Sequence, residues 1–322
     1  MAGDYTYIVA WLRSVEARLP DRAWFEHFAR TPRESLLGAL REYYPAFEAA
    51  GSIVEFESAL EAEKLAMLEK ITALLRDGDA KLFIRTGYDF ANVLAAWKAG
   101  KLGRRPPLVP FGLVPAETVE RAVALGVRGG LPEHLVALVE ILERTYAVTK
   151  SLAACEYAGE RESWRFLFGV APGEESRGYL RRKIDLANIK TFFRLRRTQL
   201  RREHLETVWI DGGEIEPGRL QALVRGPEED FFASLAMTSY SALRSRGLGP
   251  ETPLWMVDPI LKRELMDMLG QSRYRSFDFS PVIYHIELRE RDEEMLRAVI
   301  VGKLNQLPEE LMLERVEALL PS

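Results

Sequence analysis

Apolar residues recur three and four positions apart through nearly every long segment of this chain, the spacing that lines one face of a helix. In YIVAWLRSVEARL (Tyr7–Leu19) they are Ile8, Leu12, Val15 and Leu19. Asp21 is placed to cap a short helix through WFEHFA, and Thr31 followed by Pro32 has the N-cap and N1 chemistry of another through RESLLGALREYY. Ser52 to Leu75 reads as one long amphipathic helix, broken by Asp77-Gly78-Asp79. GKLGRRPP (Gly100–Pro107) ends the next helix. The stretch GGLPEHLV to LFGV (Gly129–Val170) is largely helical, and Gly173 to Ser176 separates it from the next helix. Further helices are predicted over PEEDFFASLAMTSYSALRSRG, Ile260–Leu269, a segment opened by Ser280-Pro281, and LPEELMLERVEALL. Only Thr207–Ile210 carries a strand-like pattern, so the chain reads as all-α.

One stretch organises the rest. In KIDLANIKTFFRLRRTQLRR (Lys183–Arg202), Ile184, Leu186, Ile189, Phe192, Phe193, Leu195 and Leu200 cover a broad arc when residues are set 100° apart. Asp185 and Asn188 sit inside that arc or at its edge. A carboxylate and an amide on a buried face require specific partners. Lys183, Lys190, Arg194, Arg197 and Arg201 form a narrow basic stripe outside it.

The motif recurs. YDFANVLAAWKAGK (Tyr88–Lys101) carries Asp89 and Asn92 at the same offset, and ELRERDEEMLRAVIVGK (Glu287–Lys303) carries Asp292 with Met295 where the Asn would stand. Val93, Ile189 and Leu296 lie four residues after the acids, and Trp97, Phe193 and Ile300 lie eight after. LVPAETV, IEPGRL and LPEEL come next in each copy, each with a Pro suited to a helix start. The acids are 96 and 107 residues apart. That is too long for a helical solenoid repeat of about 34–47 residues, and long enough for small helical bundles. The expected organisation is three related units, 1–104, 105–206 and 207–322, packed into one body. Asp89, Asn92, Asp185, Asn188 and Asp292 are its structural residues.

Composition narrows the function. In 322 residues, 47% hydrophobic content supports a sizeable core, and a net charge of −4 argues against a dedicated nucleic-acid binder. A single cysteine, Cys155, forms no internal disulfide and fits a reducing compartment. The N-terminus lacks the pattern of a secretory signal, and no apolar run approaches the roughly 18–20 residues of a membrane span. No catalytic, cofactor or metal constellation emerges. Gly100-Lys101 and Gly302-Lys303 have Ala95 and Arg297 where a phosphate loop needs its first Gly, and Leu102 and Leu304 where it needs Ser or Thr. His27, His134, His204 and His285 are scattered. Asp292, Glu293 and Glu294 read as a solvated helix face. The basic stripe has two readings: a docking face for an acidic partner or nucleic acid, or a solvated face compensated by nearby acids.

The residues KIDLANIKTFFRLRR and VIYHIELRERDEEMLRAVIVGKLNQLPEELMLERV, with the opening YIVAWLRSVEARL and YDFANVL, resemble the C subunit of the bacterial and archaeal V/A-type rotary ATPases, counterpart of the eukaryotic d subunit. Met295 departs from the Asn expected there. The resemblance implies an all-helical funnel of three units about a pseudo-threefold axis. It implies a non-catalytic, cofactor-free subunit on the cytoplasmic side, peripheral to the membrane. Its partners would be the D and F subunits of the central stalk and the proteolipid ring, with the stator membrane subunit a further candidate. Lys190, Arg194, Arg197 and Arg201 become the candidate stalk interface. The rival readings are a helical nucleic-acid-binding protein using the basic helix 183–202, and a generic helical scaffold.

Overall fold

Helix boundaries in this chain are set by a few local devices, visible in a computed structural model that describes residues 5–126, 128–197, 208–275 and 277–320. Asp21 caps α2 (Arg22–Arg30), accepting from Trp24 N–H at 2.9 Å after α1 (Thr6–Glu16). A short α3 (Leu36–Arg41) follows a 3₁₀ turn, so the helix expected from Thr31 is shorter than its pattern suggested. α4 is Phe56–Leu74. Asp77 then does more than interrupt: its carboxylate accepts from Asp79 and Ala80 N–H and starts α5, Gly78–Leu102. Gly103, at φ +62°, ends α5 in the left-handed conformation that glycine adopts without a Cβ clash.

α6 (Ala116–Leu125), α7 (Glu133–Thr149) and α8 (Leu152–Val170) follow. Sequence periodicity ran across the α7–α8 break; Lys150 turns left-handed there and Ser151 caps α8 through Ala154 N–H. Gly173 to Ser176 is not a separator but the first turn of α9 (Gly173–Arg197). α10 (Pro217–Leu223) and α11 (Glu228–Leu235) are short, and turns with one 3₁₀ segment, Ser241–Leu243, rather than α-helix follow α11. α12 (Leu254–Gly270) carries Pro259 inside it. α13 (Ser280–Leu304) and α14 (Glu309–Leu319) close the chain. The described residues contain helices and no strands, so the all-α class holds.

The chain divides into two compact units, 77–234 and the pair 1–76 with 235–322. In the first, α5 packs against α6, α7 and α8. Phe90, Val93, Trp97, Val119, Leu135, Leu138 and Leu142 form its apolar core. A second aromatic cluster joins α9 to α11, with Phe192 stacked on Phe231 at 4.0 Å between ring centroids. In the other unit α13 is the central helix, touching α1, α2, α4, α12 and α14. Phe25, Phe28, Leu36, Phe47, Leu60, Met295, Leu296, Val299, Val316 and Leu319 fill its core.

α13 is buried on nearly all sides, charged residues included. Asp292 is 1% exposed and Glu293 7%. The reading of these acids as a solvated face is therefore wrong. A helix surrounded by protein has no solvated side, so these side chains find polar partners within the protein: Asp292 with Arg291 at 2.8 Å, Glu63 with Arg289 at 3.7 Å, and Glu293 with Arg297 at 3.5 Å.

Candidate functional site

The motif acids and amides work by tying a helix to the loop that comes after it. Asp89, buried in α5, accepts from Leu113 N–H and Val114 N–H, both at 3.0 Å. One turn on, Asn92 closes a two-bond clasp with Val109: Nδ2 donates to the Val109 carbonyl at 2.8 Å, and Oδ1 accepts from Val109 N–H at 2.8 Å. The second copy repeats this atom for atom. Asp185 accepts from Glu214 N–H (2.9 Å) and Ile215 N–H (3.0 Å). Asn188 donates to the Ile210 carbonyl (2.8 Å) and accepts from Ile210 N–H (3.0 Å). Asp185 and Asn188 are both 0% exposed. Each clasp satisfies backbone groups that would otherwise be buried without partners.

The loop must come close for this. A Cβ on Gly112 would lie 2.0 Å from Asp89 Oδ1, and one on Gly213 would lie 2.0 Å from Asp185 Oδ1. Glycine is thus required one residue before the first clasped N–H in both copies. Pro115 and Pro217 then start α6 and α10. Arginines brace nearby backbone: Arg85 donates to the Phe111 carbonyl in the first clasped loop at 3.2 Å, and Arg196 donates to the Val224 and Gly226 carbonyls just beyond α10 at 3.0 and 2.7 Å.

The third copy is built differently. Only 305–308 separate α13 from α14, too few for a clasped loop. The turn closes instead through Leu307 N–H to the Gly302 carbonyl at 2.9 Å, with Gln306 left-handed. Met295, 0% exposed, packs into the apolar core where an Asn would find no backbone to hold. Asp292 takes its hydrogen bonds from Arg291.

The basic stripe is only partly in view. Lys190 and Arg197 are half-buried and Arg194 is exposed; Arg201 lies outside the described residues. The Arg197 guanidinium sits over the Phe193 ring at 5.4 Å. Glu160 of α8 answers the stripe. It retains solvent-accessible surface but is hemmed in by protein, and this desolvation pushes its carboxyl above the usual range, opposed by Lys190 and Arg194. Glu156, one turn earlier, pairs with Lys98 of α5. Charges therefore alternate from α5 through α8 to α9.

The acids and amides announced themselves in sequence by standing on apolar faces. The glycines, Arg85 and Arg196 carried no signal strong enough to single them out. No group of three or more potential metal ligands occurs among the described residues, and none of their helices is long and apolar enough to cross a membrane.

Known proteins resemble this chain along nearly its whole length. The C subunit of the V-type sodium ATPase of Enterococcus hirae is 23% identical over 97% of this chain and 98% of its own length. The family described as the ATP synthase (C/AC39) subunit matches residues 8–315. With nearly its whole length so matched, the chain belongs to the C/AC39 family, the C subunits of V/A-type ATPases.

Proposed function

We propose that this chain is a non-catalytic rotor subunit that links the D and F subunits of the central stalk to the membrane proteolipid ring and carries torque between them. Family membership across 8–315 is the observation that carries the reading. The clasps support it physically. A torque-carrying part must resist shear, and each clasp fastens a 25-residue helix to its following loop with four hydrogen bonds to backbone. Three related units, 1–104, 105–206 and 207–322, arranged as a pseudo-threefold funnel on the cytoplasmic side of the ring, belong to the same proposal. So do Lys190, Arg194, Arg197 and Arg201 as a stalk-facing surface, and the stator membrane subunit as a further contact.

The test is co-purification. The tagged chain should bring down both stalk subunits and proteolipid from detergent-solubilised membranes. Recovery of neither would remove the reading and favour a generic helical scaffold. A nucleic-acid-binding role would appear as binding that falls steeply with salt. Its absence at low salt removes that rival.

A further inference from the structure

Asp292 Oδ2 on α13 and the Tyr44 hydroxyl are among the buried polar atoms that have no hydrogen-bond partner among the described residues. Asp292 Oδ1 receives both hydrogen bonds from Arg291, Nη2 at 2.8 Å and Nε at 3.2 Å. Asp292 Oδ2 is buried and has no hydrogen-bond partner among the described residues. Tyr44, 2% exposed, interacts electrostatically with Asp292, and its buried hydroxyl is also without a partner there. A carboxylate with one oxygen buried and bare is costly when ionised and much less so when it carries a proton.

The surrounding charges are largely committed elsewhere. On α13, His285 Nδ1 faces Glu16 Oε1 at 3.2 Å, and Arg289 lies over the Tyr44 ring at 5.2 Å and pairs with Glu63 of α4. Glu16 of α1 also meets Arg13 and Arg273. Lys64 of α4 pairs with Glu290, and Glu293 and Glu57 with Arg297. On α12, Lys262 pairs with Glu294 and Arg246 with Glu264. Tyr284 adjoins Arg273 and Arg291. α2 and α14 contribute apolar side chains to this core, and Arg33 and Glu34 are exposed. Against Asp292 itself, burial outweighs Arg291, Arg289 and His285 and pushes its carboxyl up.

We propose that Asp292 holds a proton while the 43–64 segment, which contains Tyr44 and Glu63, is packed on α13, and that release of this proton loosens the segment. The sign comes from linkage. The packed form binds the proton more tightly than the loosened form, so packing is favoured at low pH and is lost as pH rises through the titration of the buried carboxyl.

Hydrogen exchange of the full chain across a pH series reads the packing, and residue-assigned carboxyl NMR reads the proton. The expected result is an Asp292 carboxyl that titrates well after the other aspartates of its unit. Protection of 43–64 should fall together with it, by up to about tenfold per pH unit, the limit for one proton. Asp292→Asn, which mimics the protonated form, should keep that protection high and flat. Ionisation of Asp292 in the ordinary range in the unmodified chain overturns the proposal, and that measurement does not require the variant to fold. So does protection that falls equally in Asp292→Asn.

Discussion

The Asp185 carboxylate occupies the space that a side chain on Gly213 would need: Oδ1 is 2.0 Å from the position of a Cβ there. The same oxygen accepts from Ile215 N–H at 3.0 Å. The carboxylate is fixed by the backbone it fixes, so it cannot swing aside. Gly213→Ala should therefore destabilise the chain by about 2–3 kcal/mol, the range for lost buried hydrogen bonds with strain. Asp185→Ala should cost a similar amount, because Glu214 and Ile215 N–H lose their acceptor. The double variant should cost much less than the sum. Denaturant melts of the three variants check this, and additive losses would show that glycine and carboxylate act separately.

The third copy makes the opposite demand. Restoring the motif with Met295→Asn places an amide in an apolar core with no loop backbone to bind. We expect a loss of about 2–4 kcal/mol, from cavity and unsatisfied polar group together. Met295→Leu, which conserves volume, should cost under about 1.5 kcal/mol. A neutral Met295→Asn melt would mean that a hidden partner waits there.

These two cases show what pattern reading reaches. Asp89, Asn92, Asp185 and Asn188 could be found because polar residues on an apolar helical face demand partners. The partners could not be named. They are backbone groups 17 to 30 residues downstream, at different offsets in the two copies, and backbone carries no sequence signature. α13 was harder still. Periodicity finds helices with one wet face, and a helix packed on all sides has none, so buried Asp292 and Glu293 looked like surface charges. Helix starts with proline were the most legible feature, since Pro115, Pro217 and Pro308 each open a helix.

His134 sets an acid limit on the 77–234 unit. Its ring stacks on Phe166 at 4.1 Å, and burial holds its pKa below the usual histidine value, with Asp89 opposing. The unfolded chain binds this proton more readily than the folded one. The stabilising contribution is therefore present above the unfolded histidine value and is lost as pH falls through it toward the lowered folded value. Thermal melts should decline over that window, and His134→Phe should flatten the decline. An identical pH profile in the variant would assign the acid sensitivity elsewhere.

Charge on the α9 stripe separates docking from self-compensation. Lys190 and Arg194 already act on Glu160. If the stripe meets the stalk, Arg194→Glu with Arg197→Glu should weaken stalk binding at least tenfold while the fold survives by circular dichroism, and added salt should weaken wild-type binding. Unchanged binding in the folded variant removes the stripe from the interface.

The proposed coupling of the ATPase head to the ring can be measured directly. In membranes whose ATPase lacks the chain, ATP hydrolysis by the head and ATP-driven ion transport should be measured together, before and after adding the purified protein. Hydrolysis without transport is predicted in its absence, with transport restored on its return. Ion transport that proceeds at full rate without the chain would contradict this role.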